Sequence, residues 1–108
     1  MDLHQLGQER SIAYHRVIAE RLRQQPEILE KARERVNGWL TASSNPQFHA
    51  RKWAEILAGD ISSIADFLVD RSELAYELRQ STPFAGALKP QERWQIWRET
   101  RDRLARQP

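Results

Sequence analysis

Apolar residues recur every three or four positions along most of the chain, a spacing that predicts amphipathic helices. The first such run predicts a helix from about Gly7 or Glu9 to Gln25. Pro26 has no backbone N–H and disfavours helical dihedral angles at the residue before it. It therefore ends the first helix and suits the first turn of a second, which is predicted to reach about Leu40.

Prolines also mark the starts of later helices. Pro46, which follows the capping residue Asn45, predicts a third helix, and Pro90 predicts a last one. The predicted fold class is therefore all-α: a compact bundle of five or six helices. The whole chain, 1–108, is expected to form a single helical domain, with a helix-turn-helix-like pair at about 61–80.

A seven-residue apolar repeat crosses the first two predicted helices. A continuous dimerising coiled coil is one interpretation of it, and a homodimer is accordingly one alternative for the assembly. Gln25 occupies a seam position of that repeat, however, and Pro26 lies beside it. The pattern therefore favours two separate or kinked helices.

The pair at 61–80 has capping residues, Asp60 and Ser72, before each of its two short helices. A turn of about four residues between them is the spacing of a helix-turn-helix motif. Val69 and Asp70 stand where that motif normally has a glycine and an apolar residue. The pair is therefore open to two interpretations, a DNA-binding motif or two packed helices of an ordinary bundle.

The charge pattern gives limited support to a DNA-binding alternative. The second helix of the pair carries Glu73 and Glu77, where a DNA-binding helix would face phosphates. Residues 89–108 carry 6 basic and 3 acidic side chains, so the last helix is basic, although a solvated face explains this equally. In this alternative the residues predicted to contact DNA are Arg71, Arg79, Arg98 and Arg101.

The segment Ser81–Lys89 is predicted to be a loop, because Pro83 stops the preceding helix and Gly86 permits an unusual backbone angle. Its apolar residues either fill the core or form an anchor for a partner protein. In the second interpretation the last helix contributes two tryptophans, residue types common in interfaces. The residues predicted to contact a partner are Arg79, Phe84, Leu88, Trp94 and Trp97.

Composition narrows the other function classes. The chain has no cysteine, 30% charged residues and a net charge of +2. Disulfides and thiolate metal sites are excluded, no stretch is apolar enough to cross a membrane, and no apolar signal-peptide core precedes the first helix. We therefore expect a cytoplasmic protein without a membrane partner.

Candidate chemistry is sparse. His4, His15 and His49 fall on separate segments without the spacing of a zinc site, and His15 is expected on the surface or half-buried. The carboxylate pairs one helical turn apart are expected to be solvated, and the four glycines form no phosphate-binding loop. The sequence therefore predicts no catalytic residue, no metal site and no cofactor, and a protein that is not an enzyme.

The stretch RSELAYELRQSTPFAGALKPQERW, with HARKWAEIL before it, resembles small helical bacterial proteins of unassigned function. Some proteins of this size and composition are antitoxins encoded beside a toxin. The resemblance spans about Phe48 to Trp97 and implies a bacterial regulator that contacts a partner protein, such as a toxin, directly. Because no motif in it has a defined chemical role, it assigns no functional residue.

Overall fold

The computed structural model describes residues 2–107, and over that range the chain folds into six α-helices and no strands. The helices are α1 (Leu3–Arg21), α2 (Pro26–Thr41), α3 (Phe48–Leu57), α4 (Ile61–Leu68), α5 (Glu73–Arg79) and α6 (Pro90–Ala105). This confirms the predicted all-α bundle with a short helical pair at 61–80. None of these helices combines the length and the hydropathy that crossing a bilayer requires.

Four successive pairings organise the bundle: α6 packs on α1, α1 on α4, α4 on α3, and α3 on α2, while α5 lies beside α4. The core is built from the inward faces of α1 to α5 and the loop after α5. Its largest fully buried side chain is Trp53 of α3, whose indole N–H donates to the Leu78 carbonyl at 3.1 Å. The loop residue Phe84 meets the Trp53 ring edge-on at a centroid distance of 6.3 Å.

Helix α1 begins earlier than the pattern predicts. Gly7 lowers helix propensity locally, but the Asp2 side chain caps the helix by accepting from the His4 N–H at 2.9 Å, and Leu6 is buried. At its other end α1 stops at Arg21, whose carbonyl accepts from the N–H groups of the turn before Pro26. Helices α1 and α2 are thus separate rather than one continuous helix.

The prediction that Asn45 caps a helix starting at Pro46 is wrong. Helix α3 begins at Phe48 with Gln47 at the N-cap position. The Asn45 N–H donates to the Ser43 hydroxyl at 3.1 Å, so this residue belongs to the turn before the helix. The caps predicted for the short helices are confirmed, because Asp60 accepts from Ser63 N–H at 2.7 Å and Ser72 from Ala75 N–H at 3.2 Å.

Helix α6 runs antiparallel along α1, as the contacts at the two ends of the pair show. Arg21 near the end of α1 bonds to Glu92 near the start of α6. At the opposite end, Glu9 pairs with Arg103 at 3.5 Å and with Arg71 at 2.7 Å. This arrangement places the first half of α6 beside the loop that follows α5, and so creates the site described next.

Candidate functional site

The loop between α5 and α6 is held in one conformation by hydrogen bonds from two distant helices. The Tyr14 hydroxyl of α1 donates to the Phe84 carbonyl at 2.7 Å. Arg35 of α2 donates to the carbonyls of Pro83 at 3.2 Å and Ala85 at 2.8 Å. Gly86 has a φ of +81°, a conformation that disfavours any side chain, as the sequence predicted. The loop is therefore a fixed wall for a site rather than a free segment.

His15 holds the start of this loop from inside the protein. It is 2% exposed, which corrects the expectation of a surface or half-buried side chain. Its Nδ1–H donates to the Ser11 carbonyl at 2.7 Å, so Nε2 accepts from the Thr82 hydroxyl at 2.8 Å. Burial lowers the pKa of His15 from 6.5 to about 4, against the opposing effect of the Ser11 hydrogen bond. The ring is therefore neutral at pH 7.

A cleft of about 430 Å³ opens between α1, the first half of α6 and this loop. Three arginines reach it from three different elements, so we call it the arginine cleft. It is lined by Gly7, Arg10, Ser11, Tyr14, His15, Arg79, Thr82, Ala85, Gly86, Arg93 and Trp97. No carboxylate of residues 2–107 lines the cleft, which makes these surroundings cationic and rich in hydrogen-bond donors.

Arg79 is the most buried of the three arginines, at 3% exposure. Its Nη1 donates to the Leu68 carbonyl at 3.2 Å, and its guanidinium lies 4.9 Å from the centre of the Tyr76 ring. Its Nε and Nη2 are buried, and no atom of residues 2–107 accepts from them. Desolvation lowers the pKa of Arg79, but an arginine pKa starts so high that the group stays charged.

Arg10 and Arg93 approach the same indole ring. Each guanidinium carbon lies 5.5 Å from the centre of the Trp97 ring, within the range of a cation–π contact. The Nε of each is buried without an acceptor in the part of the chain that the structure describes. Neither they nor Arg79 forms an ion pair with a carboxylate of residues 2–107.

The residues predicted to contact a partner divide between the core and this region. Phe84 and Leu88 are buried, at 1% and 4% exposure, so their side chains are core residues and are not accessible to a partner. Arg79 and Trp97 line the arginine cleft. Trp94 is 57% exposed and meets the Trp97 ring edge-on at 5.5 Å, at the outer side of α6.

The residues predicted to contact DNA do not form one surface. Arg71 is held in a two-pronged contact by Glu9, at 2.7 and 3.2 Å. Arg79 is buried, whereas Arg98 and Arg101 are exposed on α6. The exposed side of α5 presents the carboxylates of Glu73 and Glu77 together with Leu74.

Sequence reasoning did not identify Arg10, Arg93 and His15 as members of one site. Arg10 precedes Arg93 by more than eighty positions, and the basic composition of α6 hid which of its arginines face inward. The apolar loop was a signal that could have pointed to this site. The backbone polar groups of a loop with buried residues need hydrogen-bond partners, which here come from side chains of other helices. Within residues 2–107, no group of three His, Asp or Glu side chains is placed to hold a metal ion.

Comparison with known proteins gives no guide to the function of this chain, so its interpretation rests on the geometry of the site. No protein-family model, no curated protein sequence and no solved structure matches the chain significantly. The resemblance to antitoxin-like proteins accordingly remains a hypothesis. Residues 2–107 form a cleft with buried cationic donors that have no acceptor among these residues, and an exposed tryptophan lies beside it.

Proposed function

We propose that this chain is a small regulatory binding protein, antitoxin-like, which acts by direct contact with a partner protein. The observation that carries the proposal is the exposure of Trp94 beside the arginine cleft. A tryptophan in water leaves a large apolar surface exposed, and its burial against a partner stabilises a complex. The contact surface in this proposal is Trp94, the edge of Trp97 and the mouth of the cleft.

The surroundings of Trp94 support this assignment. Tryptophan and arginine are the residue types that most often dominate the free energy of binding in interfaces. Arg10 and Arg93 lie next to Trp97 with donors that no described carboxylate engages. A partner that covers Trp94 and brings an acceptor to these donors would gain from both burial and charge-assisted hydrogen bonds.

The DNA-binding alternative has less support. Its central helix, α5, has only 7 residues and exposes Glu73 and Glu77. Carboxylates facing the phosphate backbone would oppose binding, and Arg71 is already paired with Glu9. The basic residues left over, Arg98 and Arg101, are on α6 rather than on the helix-turn-helix-like pair.

The test compares two exposed aromatic residues on different helices. Trp94→Ala is expected to weaken binding of the partner by at least about thirtyfold, since an interface hot spot contributes about 2 kcal/mol or more. Phe48→Ala on α3 is the matched control, because Phe48 is also exposed, at 44%. The partner is first identified by native mass spectrometry of the protein purified at low salt, and its affinity is then measured with both variants.

Equal affinities of the wild type and Trp94→Ala, with unchanged helical content, would place the interface elsewhere and contradict the proposal. Co-purifying nucleic acid that dissociates steeply as salt is raised would instead support the DNA-binding alternative. If the partner is a toxin, expression of the wild type should relieve its growth arrest, and expression of Trp94→Ala should relieve it less.

A further inference from the structure

The arginine cleft differs from the rest of the molecule in how its arginines are used. Elsewhere, Arg21, Arg71 and Arg103 each pair with a glutamate of a neighbouring element. Arg33 and Arg35 donate to backbone carbonyls. These five arginines therefore donate to carboxylate or carbonyl oxygens of the protein itself.

The three arginines of the cleft differ in that each keeps at least one buried donor without an acceptor, although Arg79 Nη1 also donates to the Leu68 carbonyl. Four of their buried nitrogens, Nε of Arg10, Nε and Nη2 of Arg79, and Nε of Arg93, have no acceptor among residues 2–107. A buried guanidinium nitrogen without an acceptor is costly, because the hydrogen bond it made to water is not replaced. An arrangement of this kind in a cleft indicates an anion as the missing acceptor.

No carboxylate in the described part of the chain supplies that acceptor. Asp70 and Glu9 attract Arg79 electrostatically, but each is engaged by other groups. Asp70 accepts from the Ser72 N–H at 3.3 Å, and Glu9 pairs with Arg71 and Arg103. Because three cations face one cleft, a doubly charged ligand is favoured over a single carboxylate.

The polar side chains that line the cleft besides the arginines offer few free acceptor atoms to a ligand. The Tyr14 hydroxyl and His15 are occupied in holding the loop, and Thr82 both donates to His15 and accepts from the Phe84 N–H at 3.1 Å. Ser11 adds a hydroxyl that can donate. The site is thus suited to a ligand rich in acceptors.

The shape of the cleft points to a ligand larger than a simple ion. Its volume of about 430 Å³ falls in the range of small-molecule sites, roughly 300–1,000 Å³. Gly7 and Gly86 both line it, and a Cβ placed at either position would meet no atom within 4 Å. Gly7 therefore lacks a side chain where there is room for one, whereas Gly86 is favoured by its positive φ, and both leave the cleft open.

We propose that the arginine cleft binds a phosphate monoester, with the dianionic phosphoryl group held by Arg10, Arg79 and Arg93 beside Trp97. Guanidinium groups match phosphate oxygens in geometry as well as charge, and they can bond to two oxygens at once. Binding would compete with the cation–π contacts of Arg10 and Arg93, so the Trp97 ring changes its surroundings when a ligand enters. This inference concerns a small-molecule site that shares Arg10 and Arg93 with the proposed contact surface, but it does not require a partner protein.

The experiment titrates the protein with phenyl phosphate and with inorganic phosphate at constant ionic strength and about pH 8, where a monoester is a dianion. Calorimetry gives the affinity, and the indole N–H signals of the four tryptophans report the place of binding by NMR. Saturable binding at or below about 1 mM, with the Trp97 signal shifting most, is the expected result. Trp97→Phe identifies that signal.

Matched variants separate the site from general charge. Arg10→Gln and Arg93→Gln should each raise the dissociation constant by at least about tenfold, since each removes a charge-assisted hydrogen bond. Arg98→Gln removes the same charge from an exposed position of α6 and should leave the affinity unchanged. Gly7→Leu keeps every charge, favours the helix and should block the cleft.

Several results would overturn the proposal. One is the absence of saturable binding up to about 10 mM, and another is equal weakening by Arg98→Gln and Arg93→Gln. Benzoate binding as tightly as phenyl phosphate would show that the site does not select a dianion. A dinucleotide that binds when phenyl phosphate does not would point to a phosphodiester and so to a nucleic acid backbone. Loss of phosphate binding with retained partner binding, or the reverse, distinguishes this proposal from the protein-binding one.

Discussion

His15 and Arg79 are both buried polar side chains, but they differ in charge and in how fully their nitrogens are hydrogen-bonded. Both ring nitrogens of His15 have partners, Ser11 and Thr82, and the ring is kept neutral. Arg79 keeps its charge and has two nitrogens without an acceptor among residues 2–107. His15 is a structural group that fixes the loop after α5, whereas Arg79 retains the donors that the proposed phosphate site would use.

The depressed pKa of His15 predicts that stability falls on mild acidification. The unfolded chain takes up a proton near the ordinary pKa of 6.5, whereas the folded protein resists it down to about 4. The contribution of neutral His15 to the free energy of unfolding is complete above about pH 6.5 and is lost as the pH falls towards 4. Between pH 7 and pH 5 we expect a loss of about 2 kcal/mol in the free energy of unfolding. Urea unfolding at the two pH values measures it.

His15→Gln is the control for this prediction. It removes the titrating group, so its stability should change much less over the same interval, even if it starts lower. The carboxylates with lowered pKa values, such as Glu9 and Glu92, lose their effect mainly at lower pH. Equal pH dependence of the variant and the wild type would contradict the role given to His15.

At the scale of elements, the short helices depend on their ends and on their neighbours. Helix α5 has only 7 residues, too few to be stable alone, and it buries Ala75, Leu78 and Arg79 against the bundle. Its N-terminus is capped by Ser72, which accepts from the Ala75 N–H. Because α5 positions Arg79, loss of this cap should disturb the position of Arg79 in the arginine cleft as well as lower the stability of the protein.

Removing this cap should destabilise the protein. Ser72→Ala leaves an unsatisfied backbone donor at the start of α5, and we expect it to cost about 1 kcal/mol. Ser62→Ala is the matched control, because Ser62 is an exposed helical position in α4 and no cap. Chemical unfolding of the two variants provides the comparison, and indistinguishable midpoints would count against the assigned cap.

Local patterns were sufficient to predict most elements. The apolar periodicity, Pro26, Pro90, Asp60 and Ser72 act within a few residues, so their effects can be read from the sequence. The start of α3 could not be predicted in this way. Asn45 is a residue type that suits both a helix cap and a turn. In the structure it lies in a turn, where its N–H donates to the Ser43 hydroxyl.

The site was much less predictable, because its contacts join distant parts of the chain. Tyr14 bonds to Phe84 and His15 to Thr82 across roughly seventy residues, and no periodicity encodes such a pairing. A single sequence also cannot show whether an arginine has a carboxylate nearby. Trp94 and Trp97 could be identified as candidates by residue type, but only the packing of α6 on α1 reveals which is exposed.

At the scale of the molecule, α6 stands apart from the main core. The buried core cluster draws on α1 to α5 and the loop, whereas α6 adds only the partly buried Ile96 to it. Its own buried residues are Thr100 and Leu104, and α1 is the helix on which it packs. The helix is thus attached along one side by modest apolar contact and by ion pairs near each end.

This arrangement predicts that α6 opens separately from the rest of the protein. Amide hydrogens in the middle of α6, at Ile96 and Trp97, should exchange at least about tenfold faster than those around Trp53 in α3. Hydrogen exchange followed by NMR measures both sets in one sample. If α6 amides exchanged only at the rate of global unfolding, the helix would belong to the same cooperative unit as the core.

The antiparallel pairing of α6 with α1 also has a consequence for biosynthesis. The arginine cleft takes Arg10 from an early part of the chain, Arg79 from a later part and Arg93 from the last helix. A nascent chain can fold its first helices as they leave the ribosome, but the three guanidinium groups come together only after α6 has been made. Binding of the proposed phosphate monoester would therefore require a chain whose translation has passed α6, and a product truncated before α6 would lack Arg93 and Trp97.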